Sequence, residues 1–452
     1  MDKAIGGTRL LFFLIFAVLT LVCPAGTCRA QNRLTVDRAV EIALENSLQR
    51  RMAAKDVEIA QEGLARARAE FGPTVTLQGG LYRYDDPPSL VQSNQGLAKL
   101  NNVLSAMTYG QVAEVSLPSE SLTYYGGLIK VTQPLYTGNK LTATRRLAQG
   151  NLDNAQKNLE ASDNDLALSA RKAFYTVILS RQMAGAMDEA MKSMTGHVKE
   201  ATAFHDQKIV PKLDLLRAKK KLADLRQQQL YAHNNVDLAQ TALNYVLGVD
   251  MDTRYTYDDT PRTLPMPRDL ETCIEISLEN RPEIGAVEAQ IRMANEQIAI
   301  VQSDYLPTLA LVGEAHHYEP ENEYPSAQIG IVASIDLFDN GRTSHKKAQA
   351  DRGLEKARIA KKQLFRGIRL AVEKSYHDAQ AAFESIDVAQ KSQDTAREAL
   401  DAARTRYRVG LSTSLERLDA EVAMTRAKTN YIHALSMYNI AVSELERAMG
   451  KE

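Results

Sequence analysis

The side chains that could carry out chemistry are few, and they do not converge. His316 and His317 are neighbours in a predicted strand, so their imidazoles point to opposite faces and make a poor pair of metal ligands. Cys273 lies among apolar helix positions, which indicates an inert buried thiol. The sequence shows no phosphate-binding loop, no paired nucleophile and base, and no cluster with metal-ligand spacing. We therefore expect no enzyme activity, no metal site and no cofactor.

The N-terminus has the pattern of an export signal. Basic residues precede an apolar run at 10–22, which is too short for a spanning helix, and a small-residue cleavage pattern predicts a signal peptide at 1–30. Acylation at Cys28 is the alternative, although the residues before it fit a lipoprotein signal poorly. Cleavage leaves Cys273 as the single cysteine, which excludes an internal disulfide.

Charge and hydropathy limit the partners further. The formal net charge is -1 and no basic patch indicates nucleic acid. Beyond the signal, no continuous apolar stretch of about 20 residues predicts a spanning helix. An exported chain of this kind is periplasmic, secreted, or in a membrane by way of strands.

The chain contains the same unit twice. Residues 40–77 align without a gap on 274–311 at an offset of 234. Residues 133–248 align on 335–450 at an offset of 202. Each copy of roughly 200 residues is a structural half, far longer than a solenoid repeat.

These offsets predict the domain organisation. The first repeat occupies 31–248, an equatorial linker occupies 249–268, and the second repeat occupies 269–452. Each repeat is predicted to contain one helix, two strands and a long helical hairpin, in that order. The change of offset places a surplus of 32 residues in the first copy, as an outer loop at about 84–122. Apolar residues within this loop suggest a short amphipathic helix that could fold over a pore mouth: Leu97, Leu100, Leu104 and Met107. The alternative is a plain variable loop.

Most of the chain is predicted to form long helices. Residues 141–205 contain no proline, and a helix of that length would span about 97 Å. Apolar positions recur at spacings of seven, or of four and three, which is typical of coiled-coil packing: Leu152, Leu159, Leu166, Val372, Tyr376, Ala379, Leu400 and Tyr407. A turn and a second helix follow each long helix, so each copy holds a long helical hairpin.

Four segments between the helices have a period of two, which predicts strands at 74–82, 127–135, 308–317 and 328–337. One apolar and one polar face over about ten residues is typical of transmembrane strands. A half-buried strand in a soluble sheet is the alternative, but no second layer is available to cover the apolar face. Four strands cannot close a barrel, and lipid does not tolerate open edges. Three protomers would supply twelve strands.

Several short motifs at matching positions resemble the TolC-like outer membrane efflux proteins over the whole mature chain. The markers are Leu-Pro-Thr-Leu at 306–309, Leu-Phe-Asp-Asn-Gly at 337–341, Tyr-Arg-Val-Gly-Leu at 407–411 and Leu-Glu-Arg-Leu-Asp-Ala at 415–420. Weaker versions occur in the first copy at 72–74 and 134–138.

The resemblance implies a mainly α fold with a transmembrane β-barrel. In a homotrimer, four strands per protomer form a shared twelve-stranded barrel in the outer membrane of a Gram-negative bacterium, and the duplicated hairpins form a periplasmic α-barrel. The expected function is a passive exit duct of a tripartite efflux pump or type I secretion system. Its expected partners are outer membrane lipid, a periplasmic adaptor (membrane fusion) protein and an inner-membrane pump of RND or ABC type.

The resemblance also implies an aperture with a carboxylate ring. Glu416 and Asp419 match the family positions that line the periplasmic constriction, where three copies would bring six carboxylates together. The structural alternative for Glu416 is a capping box with Thr413. For Asp419 the alternative is a solvated helix face.

Two further residues match the gating positions of the family. Tyr407 corresponds to the residue that bonds to the first hairpin, and Asp214 corresponds to its partner there. Coiled-coil packing and a favourable helix N-terminus are the alternative explanations. Ser412 occupies the position of a family arginine, which predicts a closed-state latch that is weaker or built differently.

The turns of the two hairpins are predicted to contact the adaptor. The second turn is formed by Val409, Gly410 and Leu411, and the first contains Ile209 and Val210. Lys208 replaces the expected glycine in the first turn, so we expect the two turns to be unequal.

Two other classes of protein compete with the channel. A periplasmic coiled-coil adaptor would link a pump to a separate channel, but adaptors carry one helical hairpin rather than two full copies. A secreted structural coiled coil would leave the strands unexplained.

Overall fold

The structure is a computed structural model that describes residues 33–84, 98–105, 107, 122–258, 264–265, 269–319 and 326–451. The predicted signal peptide at 1–30, and most of the predicted loop at 84–122, lie outside the described residues. The chain divides into two compact units. The first combines the residues up to Asn46 with Ala170–Thr263 and Ala389–Ser436; the second combines Ser47–Ser169, Leu264–Val388 and Met437–Glu452.

Each copy follows the order of helices, two strands and a long hairpin. The first copy contains β1 (Arg33–Leu34), α1 (Val36–Asn46), α2 (Leu48–Ala69), β2 (Thr74–Tyr84), α3 (98–105), β3 (Leu122–Tyr136), α4 (Lys140–Asp206) and α5 (Lys212–Leu247). After β4 (Thr256–Tyr257), the second copy contains α6 (Leu270–Asn280), α7 (Pro282–Ser303), β5 (Thr308–Glu319), β6 (Ser326–Ser334), α8 (Arg342–Arg408) and α9 (Ser414–Ala448).

Each copy begins with two helices, where the sequence analysis expected one. In the first copy, the Ser47 side chain accepts a hydrogen bond from the Arg50 backbone N–H and caps α2. In the second copy, Pro282 occupies the first turn of α7, where its missing N–H costs nothing. Ser47 and Arg281 are related by the offset of 234, so the break belongs to the duplicated unit.

The strands of the second unit form one antiparallel sheet in the order β2-β3-β5-β6. The register pairs Leu77 with Ile129, and Leu311 with Ile331. Because side chains alternate along a strand, the aliphatic residues share one face of the sheet. Most of these side chains are exposed within the chain; Ile329, for example, is 77% exposed.

The turn that leads from the second strand of each copy into the long helix has the same backbone in both copies. Gly138 and Asn139 have φ of 61° and 74°, and their counterparts Asn340 and Gly341 have φ of 54° and 80°. Glycine and asparagine are the residues that enter this left-handed region most easily. A side chain at Gly138 would meet the Leu306 Cβ at 2.9 Å.

A hydrophobic core in the second unit joins the helices α6, α8 and α9. Its buried residues include Cys273, Val372, Tyr438 and Leu445. In the first unit, β1 pairs in parallel with β4, and β4 lies within the linker predicted at 249–268. No helix among the described residues is long and apolar enough to cross a membrane.

Candidate functional site

The turns that end the two hairpins lie in the first unit and share one geometry. Lys208 and Gly410, related by the offset of 202, both have positive φ, of 60° and 74°. In each turn the next residue donates a backbone hydrogen bond of 2.8 Å to a carbonyl five residues earlier, to Phe204 in the first turn and to Arg406 in the second. This pattern is the Schellman helix end. A lysine therefore adopts the conformation that the second copy gives to glycine.

Both turns carry exposed apolar side chains. Ile209 is 60% exposed in the first turn, and Val409 and Leu411 are 64% and 71% exposed in the second. Val210 is partly buried. Solvent-facing aliphatic residues grouped at a helix end indicate a contact surface rather than a core.

The two carboxylates predicted to line an aperture are both exposed on the first turns of α9. The Glu416 backbone N–H donates to Thr413 Oγ1 at 3.2 Å, which is one half of the capping box offered as the alternative. The Glu416 carboxylate accepts a 2.6 Å hydrogen bond from Ser412 Oγ. The residue at the position of the family arginine therefore binds Glu416, while Asp419 stays free to face solvent.

Tyr407 contacts the first hairpin through its ring. The ring packs on His197 and Phe204, with centroids 5.2 Å and 5.6 Å apart, and the Arg417 guanidinium lies 5.3 Å from the ring centroid. The Tyr407 hydroxyl has no hydrogen-bond partner of ordinary geometry among the described residues, so the predicted bond to Asp214 is absent. Burial raises the pKa of Tyr407, and Arg417 opposes that effect.

Asp214 lies near this cluster without bonding to it. Its Oδ1 is 3.7 Å from Arg217 Nη1 on the same helix, and its backbone N–H donates to the Pro211 carbonyl. An acidic side chain in the first turn of α5 also favours the helix N-terminus, as the structural alternative expected.

His197 is fully buried beside Tyr407, a position that the sequence analysis missed. Its Nε2 lies 3.2 Å from Ser414 Oγ, and its Nδ1 is buried without a partner among the described residues. Burial, reinforced by the positive charge of Arg417, lowers the pKa of His197 to about 4. Arg417 is itself buried and paired with Glu200. The end of α4 is therefore joined to α8 and α9 through a neutral imidazole.

Acid is expected to loosen this cluster. Because the ordinary pKa of histidine is 6.5 and that of buried His197 is about 4, the unfolded chain binds the proton more tightly between these values. Stability is then complete above pH 6.5 and falls as the pH drops to 4, by up to about 3 kcal/mol. Hydrogen exchange of the α4, α8 and α9 amides, corrected for intrinsic rates, would measure the loss.

Two matched variants show whether His197 causes this pH dependence of stability. His197→Gln should remove this part of the pH dependence, whereas His233→Gln should keep it, because His233 is 55% exposed and pairs with Asp188. Equal pH slopes for the wild type and His197→Gln would exclude the buried imidazole as the cause.

A second buried polar cluster joins the same three helices. Arg404 donates through Nε and Nη2 to Glu421 at 3.2 Å and 3.1 Å, and Ser193 Oγ donates to Glu421 at 2.7 Å. The Glu421 side chain is only 6% exposed. Sequence reasoning missed this cluster, although Arg404 and Glu421 carry opposite charges on the two helices that meet at the turn and could have been paired on that ground.

On the polar face of the sheet, a positive and a negative side chain are paired with each other. Lys130 lies 2.8 Å from Glu314, and Gln328 donates to Glu314 at 2.8 Å. His316 shares this face and bonds to Ser326 Oγ at 2.7 Å, while His317 is on the other face. Uncharged hydroxyl groups also lie on this face: Thr74, Thr76 and Thr132.

A duplicated unit that combines a one-sided sheet with long helical hairpins is the architecture of outer membrane export channels. The model of the family described as outer membrane efflux protein matches residues 39–249 and 273–451. The chain therefore belongs to the outer membrane efflux protein family, as its sequence motifs predicted.

Individual relatives agree with this assignment. The chain is 24% identical to the outer membrane protein OprJ of Pseudomonas aeruginosa, over 91% of this chain and 83% of OprJ. It is 20% identical to the alkaline protease secretion protein AprF of the same species, over 90% and 84%. Its fold matches the CmeC outer membrane channel of Campylobacter jejuni with a TM-score of 0.75 at 15% identity, over 92% and 85% of the two chains.

Family membership decides between the classes of protein considered from sequence. The chain is a protein of the outer membrane of Gram-negative bacteria with a long periplasmic helical part, and it is not an enzyme. The match covers both copies, which the adaptor alternative does not explain.

Proposed function

We propose that three copies of this chain close one twelve-stranded barrel and act as a passive exit duct across the outer membrane. The observation that supports this most strongly is the sheet. Within the described part of the chain, its outer strands β2 and β6 each have one unpaired edge, and most of its aliphatic face is exposed. Lipid requires every backbone group to be paired, and small membrane barrels need eight strands or more. Pairing β6 of one copy with β2 of the next satisfies both requirements, with outer membrane lipid against the aliphatic face.

The polar face of the sheet then lines the duct. The close pair of Lys130 with Glu314 on this face carries no net charge, and the threonines around it are uncharged. Such a lining favours water-filled passage without strong selection by charge. Substrates would arrive from an inner-membrane transporter of RND or ABC type through a periplasmic adaptor. A drug, a metal ion, another small molecule and a secreted protein all remain substrates that such a duct could carry.

The hairpin ends supply the aperture and the adaptor contacts in this proposal. Glu416 and Asp419 from three copies form the carboxylate ring, supported by their exposure on one helix face. Tyr407 and Asp214 take part in gating, with Tyr407 acting through its ring contacts. The exposed turns at 209–210 and 409–411 contact the adaptor.

Planar-bilayer recording of the purified protein tests the duct and the ring together. Stable single-channel conductance is expected from the wild type, and a preparation that never conducts would contradict the proposed duct. Replacing Glu416 and Asp419 with alanine should weaken block by a trivalent cation at least tenfold, because clustered carboxylates hold multivalent cations most tightly.

A matched variant controls for the loss of charge alone. Asp351→Ala with Glu355→Ala removes two exposed carboxylates from α8 and should leave the cation block unchanged. If the Glu416 and Asp419 variant is blocked as strongly as the wild type, the carboxylate ring is elsewhere.

A further inference from the structure

A cavity in the first unit lies between the helices α4, α5 and α9. Its volume is about 220 Å³, and its lining residues fall within 187–194, 221–228 and 421–429. Drug-sized ligands occupy pockets of about 300–1,000 Å³, so this cavity has room for a smaller molecule. One chain supplies all of the lining, so a neighbouring copy is not needed to build the cavity.

The innermost part of the cavity is apolar. Met194 and Leu225 are 1% and 5% exposed, and both belong to a buried cluster with Leu418. Met187 and Val422 extend the apolar lining. Methionine side chains adapt to different shapes, because they are unbranched and their thioether is polarizable. This part of the cavity therefore favours an aliphatic or aromatic group.

The outer part of the cavity carries two positive charges. Lys221 is partly exposed and Arg426 is exposed, and both line the cavity. Neither side chain makes an ion pair in the part of the chain that the structure describes. Asp224, the acidic residue nearest to Lys221 in the sequence, is paired with Lys220 at 2.8 Å. Both cations are thus available to an anionic ligand.

Glu421 also lines the cavity, but its charge is already neutralised. Its carboxylate accepts hydrogen bonds from Arg404 and Ser193, and its side chain is 6% exposed. The hydroxyl groups of Thr425 and Thr429 donate to backbone carbonyls of α9. The charge that remains available in the lining is therefore positive.

The second copy does not repeat these side chains. At the offset of 202, the apolar residues at 187, 194 and 225 correspond to alanines at 389, 396 and 427. Lys221 corresponds to Ala423. The helical hairpin of the second copy thus forms without these larger side chains, so the shared architecture alone does not account for them.

We propose that this cavity binds a small amphipathic anion, which has an apolar chain or ring and one carboxylate. The apolar group lies against Met187, Met194 and Leu225, where its burial favours binding. The carboxylate lies between Lys221 and Arg426, which donate charge-assisted hydrogen bonds to it. The bound ligand bridges α5 and α9 across α4. This inference goes beyond the proposed duct and does not depend on it.

Three matched probes test the chemistry of the ligand. Phenylbutanoate, phenylbutanamide and phenylbutylamine share an apolar group and differ in charge. Calorimetric titration of the full-length protein in lipid nanodiscs should show that the carboxylate binds at least tenfold more tightly than the amide and that the amine does not bind. Empty nanodiscs correct for partition into lipid. Raising the salt concentration from about 50 to about 500 mM should weaken binding of the carboxylate.

Variants assign the binding to the cavity. Lys221→Gln with Arg426→Gln should weaken phenylbutanoate binding at least tenfold and change phenylbutanamide binding little. Lys192→Gln with Lys199→Gln removes the same charge from exposed positions of α4 and should leave both affinities unchanged. Val422→Trp should abolish binding of both probes, because the indole fills the cavity from a side chain that is 40% exposed.

Hydrogen exchange of the wild type supplies a second measurement that needs no variant. Phenylbutanoate should slow exchange of the α5 and α9 amides beside the cavity, because it bridges these helices. Equal affinities for phenylbutanoate and phenylbutanamide, or no binding of either, would overturn the inference. Phenylbutanoate binding that leaves exchange in α5 and α9 unchanged, or that persists in a folded Val422→Trp protein, would also overturn it, since the ligand would then lie elsewhere.

Discussion

Replacing Ile329 and Ile331 with lysine is expected to prevent assembly in the membrane. Both side chains lie on the aliphatic face of β6, opposite Gly313 and Leu311 of β5, and they are 77% and 67% exposed within the chain. If lipid covers this face, a lysine near the midplane costs about 2–4 kcal/mol. The double variant would then lose roughly 4–8 kcal/mol, comparable with the whole stability of a typical domain.

The opposite face of the same strand provides the control. Gln328→Lys with Val332→Lys adds the same charge to the same strand, on the face that carries Glu314. The amount of heat-modifiable trimer in outer membrane fractions should be close to that of the wild type for this control and near zero for the Ile329 and Ile331 variant. Normal trimers from the latter would show that the lipid face is wrongly assigned.

The second large effect is expected at Arg404. Methionine at this position removes the three hydrogen bonds that the Arg404 Nε and Nη2 donate to Glu421. It leaves a carboxylate that is 6% exposed with Ser193 as its remaining partner. Breaking a buried ion pair on one side costs about 3–5 kcal/mol. Because the Arg404 side chain is 30% exposed, we expect the lower end, about 3 kcal/mol, measured from chemical denaturation or from exchange of the α9 amides.

A double-mutant cycle identifies the cause of this loss. Adding Glu421→Gln to the Arg404→Met variant removes the uncompensated charge and should recover most of the lost stability. Arg397→Met, which breaks an exposed pair with Asp394, should change stability by less than about 0.5 kcal/mol. A double variant as unstable as Arg404→Met would mean that packing of the arginine stem, not the buried carboxylate, is what stabilises the junction.

Most of the fold could be predicted because its signals are local and repeated. The alternation of Ile329 and Ile331 with polar neighbours predicted β6, and the structure confirms the strand. Heptad positions such as Val372 and Leu400 are buried as predicted. The end of β6 was placed three residues too far, at 337, because Ile335 and Leu337 continue the pattern after pairing with β5 has stopped.

The site could be predicted only in part, since its contacts depend on how separate helices are placed against each other. Glu416 and the turn at 409–411 are recognisable from local sequence. His197 is not, because a single histidine in a helix of 67 residues carries no sign that it will meet Ser414. The bond between Tyr407 and Asp214 was predicted from matching motifs and is absent for the same reason. The contacts of Tyr407 depend on how the helices pack, which places Arg417 on its ring.

The turns at 138–139 and 340–341 bear on how the two halves diverged. One copy has glycine followed by asparagine, and the other has asparagine followed by glycine, yet all four residues keep positive φ. The two copies thus share the dihedral angles of this turn rather than the order of its side chains. After the duplication, glycine and asparagine could exchange places in either half, provided that the turn between the strand and the long helix kept its shape.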